Sequence, residues 1–144
     1  MCGIVGGVTN KNITPLLLEG LKCLEYRGYD SSGLIVLSPQ NSFNRARSVG
    51  KVSNLEKNLK SRSKKINGNI GIAHTRWATH GEPSSLNAHP HISKNNVSVV
   101  HNGIIENYIA LKNDQEKLGY IFKSETDTEV IAHAIDYALK SSKT

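Results

Sequence analysis

Cysteine is scarce in this sequence, with only Cys2 and Cys23 present. That count excludes a disulfide framework and suits a reducing compartment, so a cytoplasmic location is expected. No apolar run approaches the ~18 residues that cross a bilayer, so no membrane association is expected. No basic stretch and apolar segment precede a cleavage site, which argues against a secretory signal. Repeats and low-complexity linkers are also missing. The 144 residues, 38% of them apolar, read as one domain over residues 1–144, long enough to bury a core. Acidic residues are outnumbered 12 to 18, for a formal charge of +6. Much of that excess lies in residues 57–65, which carry no aromatic side chain for stacking on bases. Leu55 and Leu59 mark the inner stripe of a short helix there, so the run is read as a solvated helix face and no nucleic-acid partner is expected.

Short strands and helices alternate along the chain. Residues 3–8 read as a buried strand bounded by a polar turn. Thr14 and Pro15 open a helix as cap and first residue, Leu17, Leu21 and Leu24 form its inner stripe, and Gly28 ends it. Strands are expected over residues 33–37, 42–49, 69–73 and 97–100. Ile104, Tyr108, Leu111 and Leu118 predict a helix stopped by Gly119. The last helix starts with capping-box spacing from Thr126 to Glu129. Val130, Ile131, Ala134, Ile135, Ala138 and Leu139 predict its wide apolar face. Cys23 falls inside the first helix and is read as a packing residue.

Cys2 follows the initiator methionine, and its small side chain predicts removal of Met1. The chain would then begin with a nucleophilic side chain and its own α-amine. An unperturbed thiol titrates near ~8.5 and an α-amine near ~7.7–8.0, both within reach of neutral pH. An amine that activates the side chain of its own residue is one established route to a nucleophile.

Polar residues crowd three further segments: residues 25–33, residues 74–91 and the His101-Asn102-Gly103 turn. Arg76 has the planar fork that binds a carboxylate, or it is a surface ion pair. Asn102 and Gly103 offer a side-chain amide and an unobstructed backbone N–H, fit for an oxyanion hole, although Asn-Gly also makes ordinary turns. Asp127 can hold an ammonium group, or it or Thr126 can cap the last helix. The histidines at 74, 80, 89, 91 and 101 lack recognised metal-ligand spacing, so no metal is expected. Together these residues supply what is needed to cut the side-chain amide of a free amino acid.

At Cys2-Gly3-Ile4-Val5-Gly6, Tyr26-Arg27-Gly28-Tyr29-Asp30, Thr75-Arg76-Trp77-Ala78-Thr79-His80-Gly81 and His101-Asn102-Gly103, the sequence resembles the class II, N-terminal nucleophile glutamine amidotransferases. The resemblance implies an α+β fold, the four-layer α-β-β-α sandwich of N-terminal nucleophile hydrolases, incomplete at the C-terminal side. It implies Cys2 as the nucleophile that forms a γ-glutamyl thioester, with Asn102 and Gly103 as the oxyanion hole. Arg76 would bind the carboxylate of glutamine and Asp127 its amino group, with Thr79, His80 and Gly103 lining the pocket. Trp77 would sit on a loop that closes over glutamine, and Arg27 would order the site. No cofactor is implied. The wording is most similar to the hexosamine-forming branch of the family. There, ammonia passes to fructose 6-phosphate on a separate sugar isomerase domain, and the full-length enzyme is expected to be a homo-oligomer.

Overall fold

The computed structural model describes residues 1–78 and 81–142. Among these, a four-stranded antiparallel sheet is built from β1 (Gly3–Val8), β2 (Ser31–Leu37), β3 (Phe43–Val49) and β4 (Ile70–Arg76) in the order β1-β4-β2-β3. A second, two-stranded sheet pairs β5 (His91–Ser93) with β6 (Val97–Val99). The helices are α1 (Thr14–Leu24), α2 (Val52–Ser61), α3 (Tyr108–Lys117) and α4 (Glu129–Ser141).

Strand alternation sorts the larger sheet into two faces. The register pairs Val5 with Ala73, Ala73 with Leu34, and Leu34 with Ala46, so these side chains share the outer face. They form the apolar core with Leu17 and Leu21 of α1 and Val52 and Leu55 of α2. Leu17 and Leu21 are fully buried, a change that stabilises by roughly 1.5–3 kcal/mol per side chain of this size.

The same register places Ile4, His74, Gly33 and Arg47 on the inner face. The segment leading into β5 lies over it. A Cβ on Gly33 would stand 2.0 Å from the His89 carbonyl oxygen, so only glycine admits this approach. Arg45 donates to the Pro90 carbonyl at 3.1 Å, and Arg47 to those of Leu86 at 3.0 Å and Ala88 at 3.1 Å. Helix α4 covers β5 and β6 from the far side, and α3 packs on α4. The layers therefore run helix, sheet, sheet, helix.

Several elements differ from their sequence reading. Strand β1 is an edge strand rather than a buried one, with Ile4 44% and Val8 74% exposed. Thr14 does not cap α1: its hydroxyl donates to the Ile66 carbonyl at 3.2 Å, while Asn12 Oδ1 accepts from the Thr14 N–H at 3.2 Å. Helix α1 ends at Leu24, and a 3-10 turn over Glu25–Arg27 carries the chain to Gly28. The apolar stripe read for α3 is not buried, since Ile104 and Leu118 are exposed and Gln115 is its buried residue.

Helix α4 is turned about its axis relative to expectation. It buries Glu129, Val130, Ala132, His133 and Asp136 and exposes Ile135 and Leu139. Asp136 makes this face tenable by accepting from Tyr120 Oη at 2.7 Å, Lys140 Nζ at 2.6 Å and Asn96 Nδ2 at 3.1 Å. Glu129 makes no capping box with Thr126. Its carboxylate accepts from the backbone N–H groups of Lys123 at 2.9 Å and Ser124 at 2.8 Å. Burial alone would raise its pKa, but the His133 ring 3.6 Å away and the bonds from Ser124 and these amides outweigh it and hold the group at about 2.

Candidate active site

The antiparallel pairing of Gly3 with Thr75 brings the start of β1 beside the end of β4. The Gly3 N–H donates to Thr75 Oγ1 at 3.1 Å, which fixes the chain just past Cys2. Cys2 is half-buried, and its sulfur accepts a hydrogen bond from the Trp77 backbone N–H at 3.2 Å. The α-ammonium group in this chain belongs to Met1 and donates to the Arg27 carbonyl at 2.8 Å. Arg27 in turn reaches Met1 Sδ with Nη2 at 3.4 Å.

Asn102 comes from the loop after β6, and its Nδ2 donates to the Cys2 carbonyl oxygen at 2.9 Å. A primary amide carries two hydrogens, so the second is left for another acceptor. Cys2, Arg76, Trp77, Asn102, Gly103 and Asp127 all line one cavity of about 380 Å³.

Arg76 is 4% exposed, which rules out the surface ion-pair reading. Its guanidinium donates to the carbonyls of Gly81 at 3.0 Å and Glu82 at 3.3 Å and lies 3.9 Å from Asp30 Oδ1. Asp127 is equally buried, and its Oδ2 accepts from the Ile105 N–H at 2.6 Å. Neither Asp127 nor Thr126 caps α4 through its side chain. Trp77 is half exposed and its ring lies against Gly28, where a Cβ would stand 2.4 Å from the indole and φ is +115°. Thr79 and His80, also expected in the pocket, lie outside the described residues.

Sequence reasoning gave no role to Asp30, which joins three segments. Its N–H donates to the Arg76 carbonyl at 2.8 Å, and its carbonyl accepts from Gly50 at 2.8 Å. Its carboxylate accepts from the Ala78 N–H and from Ser31 Oγ. A carboxylate inside a polar motif was the only signal available for it. Thr126 and Thr128 line the cavity on either side of Asp127 and were likewise read only as capping candidates or not at all.

Among the described residues no three His, Cys, Asp or Glu side chains are grouped to hold a metal ion. The buried histidines here stay neutral. Burial drives His74 down to about 4 and His91 to about 3, and it holds His89 well below the usual imidazole value.

A cysteine at the start of an edge strand, lining a cavity beside two stacked antiparallel sheets, fits the fold class of the N-terminal nucleophile amidotransferases. Solved structures share the fold, two of them at 29% and 31% identity. One is glutamine phosphoribosylpyrophosphate amidotransferase from B. subtilis, with TM-score 0.69, 29% identity, and coverage of 94% of this chain and 28% of that one. The other is an allosteric regulatory enzyme of purine biosynthesis, with TM-score 0.71, 31% identity, and coverage of 94% and 29%.

The model of the glutamine amidotransferase domain matches residues 41–139, and the chain belongs to that family. It is 58% identical over 141 residues to glutamine–fructose-6-phosphate aminotransferase (isomerizing) of Pseudomonas putida, covering 98% of this chain and 23% of that protein. The enzyme of the same name from Acinetobacter baylyi is 60% identical over 139 residues, covering 96% and 22%. The chain thus spans under a quarter of the length of these relatives.

Proposed function

We propose that this chain carries the glutaminase half-reaction of a hexosamine-forming aminotransferase. The observation that carries the reading is the placement of the Asn102 amide on the Cys2 carbonyl, at the wall of a cavity that also holds Arg76 and Asp127. The names of the relatives supply fructose 6-phosphate as the acceptor of the ammonia, held by parts of the enzyme beyond these 144 residues. Homo-oligomeric assembly and a cytoplasmic location follow from the same reading, and a nucleophilic thiol suits a reducing compartment.

In the mature chain, with Met1 removed, the α-amine takes the thiol proton and Cys2 Sγ attacks the side-chain amide carbon of glutamine. The oxygen becomes an oxyanion, met by the second Asn102 N–H and the Gly103 N–H. The C–N bond then breaks, the amine returns its proton to the departing nitrogen, and ammonia and a thioester result. Water hydrolyses the thioester to glutamate and restores the thiol. Glutamine and water are consumed, and glutamate and ammonia are formed.

Arg76 and Asp127 would read the two charges of the amino acid. Charge-assisted hydrogen bonds contribute ~1.5–3 kcal/mol, so glutamine should exceed glutamine amidated at its α-carboxylate by about tenfold or more in kcat/KM. The assay is ammonia release by the full-length enzyme, since the amidated substrate yields glutamic acid α-amide in place of glutamate. Arg76→Ala should abolish the preference, and Arg76→Lys should not restore it, because an ammonium lacks the fork. Equal turnover of both substrates by the wild type would remove Arg76 from the carboxylate site.

A further inference from the structure

Histidines crowd the oxyanion loop, and the chemistry above uses none of them. His74 lies fully buried on the inner face of β4. Its ring stacks on that of His89, with centroids 4.1 Å apart and planes 12° apart. Both rings reach the backbone of His101, the residue immediately before the oxyanion pair. His74 Nε2 is 3.1 Å from the His101 carbonyl oxygen. A carbonyl can only accept, so that nitrogen carries the proton. The His101 N–H donates to His89 Nδ1 at 3.3 Å, so this nitrogen is bare and the His89 proton sits on Nε2.

His101 belongs to no strand or helix, and its backbone groups need partners that a ladder would otherwise supply. The stacked rings supply both. The ring of His101 itself sits against Gly103: a Cβ there would stand 2.8 Å from its Nε2. Its Nδ1 lies 3.3 Å from Thr128 Oγ1, next to Asp127.

We propose that His74 and His89 are positioning residues for the oxyanion loop, a stacked pair that grips the N–H and the C=O of His101 and thereby sets the approach of Asn102 and Gly103 to Cys2. The proposal rests on the reading of Asn102 and Gly103 as oxyanion donors. A loop anchored only by its own turn would leave the donors free to drift. Misplacement by about 1 Å costs about 10²-fold in rate. Burial keeps both rings neutral at physiological pH, so the bare nitrogen of His89 remains available as an acceptor.

The geometry selects which replacements succeed. The Oδ1 atom of asparagine falls where Nδ1 of histidine stands, so His89→Asn keeps an acceptor for the His101 N–H. Glutamine carries its amide one methylene farther, so His89→Gln does not. The test is glutamine turnover by the full-length enzyme, with Cys2 alkylation by iodoacetamide in parallel, since that reaction needs no oxyanion hole.

His89→Ala should lower kcat about 10–100-fold, with KM changed less than about threefold and the iodoacetamide rate unchanged. His89→Asn should recover most of kcat, and His89→Gln should not. Should the alanine variant fail to fold, the asparagine and glutamine pair decides alone. Unchanged kcat in His89→Ala, a loss confined to KM, or equal kcat in His89→Asn and His89→Gln would overturn the positioning role. A wild type with no glutaminase activity would instead overturn the functional reading, and this role with it.

Discussion

Asn102 has two amide hydrogens, and the Cys2 carbonyl takes one of them at 2.9 Å. The structure thereby ties the proposed donor to the residue whose reaction it would serve. Asn102→Ala should slow glutamate release by roughly 10²–10³ in kcat and change KM little, the usual effect of losing one donor to a developing oxyanion. The kinetic constants of the full-length variant check this, and a change confined to KM would assign Asn102 to binding or turn geometry. At this scale much of the candidate site was legible. Cys2, Arg76, Asn102, Gly103 and Asp127 stand out by the chemistry of their side chains or backbone, Trp77 is named by the resemblance alone, and the fold brings all six to one cavity. Asp30, His74 and His89 were not legible in the same way. Their roles depend on which backbone groups the tertiary fold sets beside them, and spacing along the chain carries no trace of that.

At the scale of elements, the seam between the two sheets is built around histidines. His74 comes from β4, His89 from the segment before β5, and His91 from β5 itself. All three are buried with their folded-state pKa values depressed, to about 4 for His74 and about 3 for His91. An unfolded histidine titrates near ~6.5. Above that pH both states are neutral and the seam is at full stability. Below it the unfolded chain binds protons that the folded rings refuse, so stability falls as pH falls. His74 and His91 then each cost about 1.4 kcal/mol per pH unit, or about 2 kcal/mol at pH 5, and His89 adds in the same direction. Against a typical total of 5–15 kcal/mol, three such rings are a large share. The urea midpoint should therefore drop steeply between pH 7 and pH 5. Glu129 and Asp136, both held at about 2, do not contribute to the loss in that range. A midpoint that does not move between pH 7 and pH 5 would contradict the neutral-histidine seam.

Helix α4 shows where periodicity misleads. Val130, Ile131, Ala134, Ile135, Ala138 and Leu139 outline an apolar stripe. The helix nevertheless turns Glu129, His133 and Asp136 inward, because hydrogen-bond partners from Lys123 and Ser124, from Ser93, and from Tyr120 and Asn96 await them there. Hydrophobic patterning registers apolar area and cannot register a buried polar network whose other half lies elsewhere in the chain.

For the whole molecule, most of the element order was legible, since turn residues punctuate the sequence strongly, but β5 was not expected within its polar segment, and the layered α+β class came from the family resemblance. The burial of β1 was not. Its apolar content suggests a core strand, yet it lies at the sheet edge, with Ile4, Val8 and Ile70 exposed on the inner face. The edge position is also what opens the site, because Cys2 at the start of β1 faces the cavity rather than a further strand. The central claim is that Cys2, with its own free α-amine, is the nucleophile. In this chain Met1 holds the amine on the Arg27 carbonyl, one residue short of where the chemistry needs it. The most direct measurement is intact mass before and after exposure to a glutamine-mimicking alkylator, on preparations with and without Met1. A single adduct on Cys2 in the trimmed protein, and none when Met1 is retained, is the predicted result. Equal labelling of the two preparations, or an adduct that Cys2→Ala does not remove, would contradict the account.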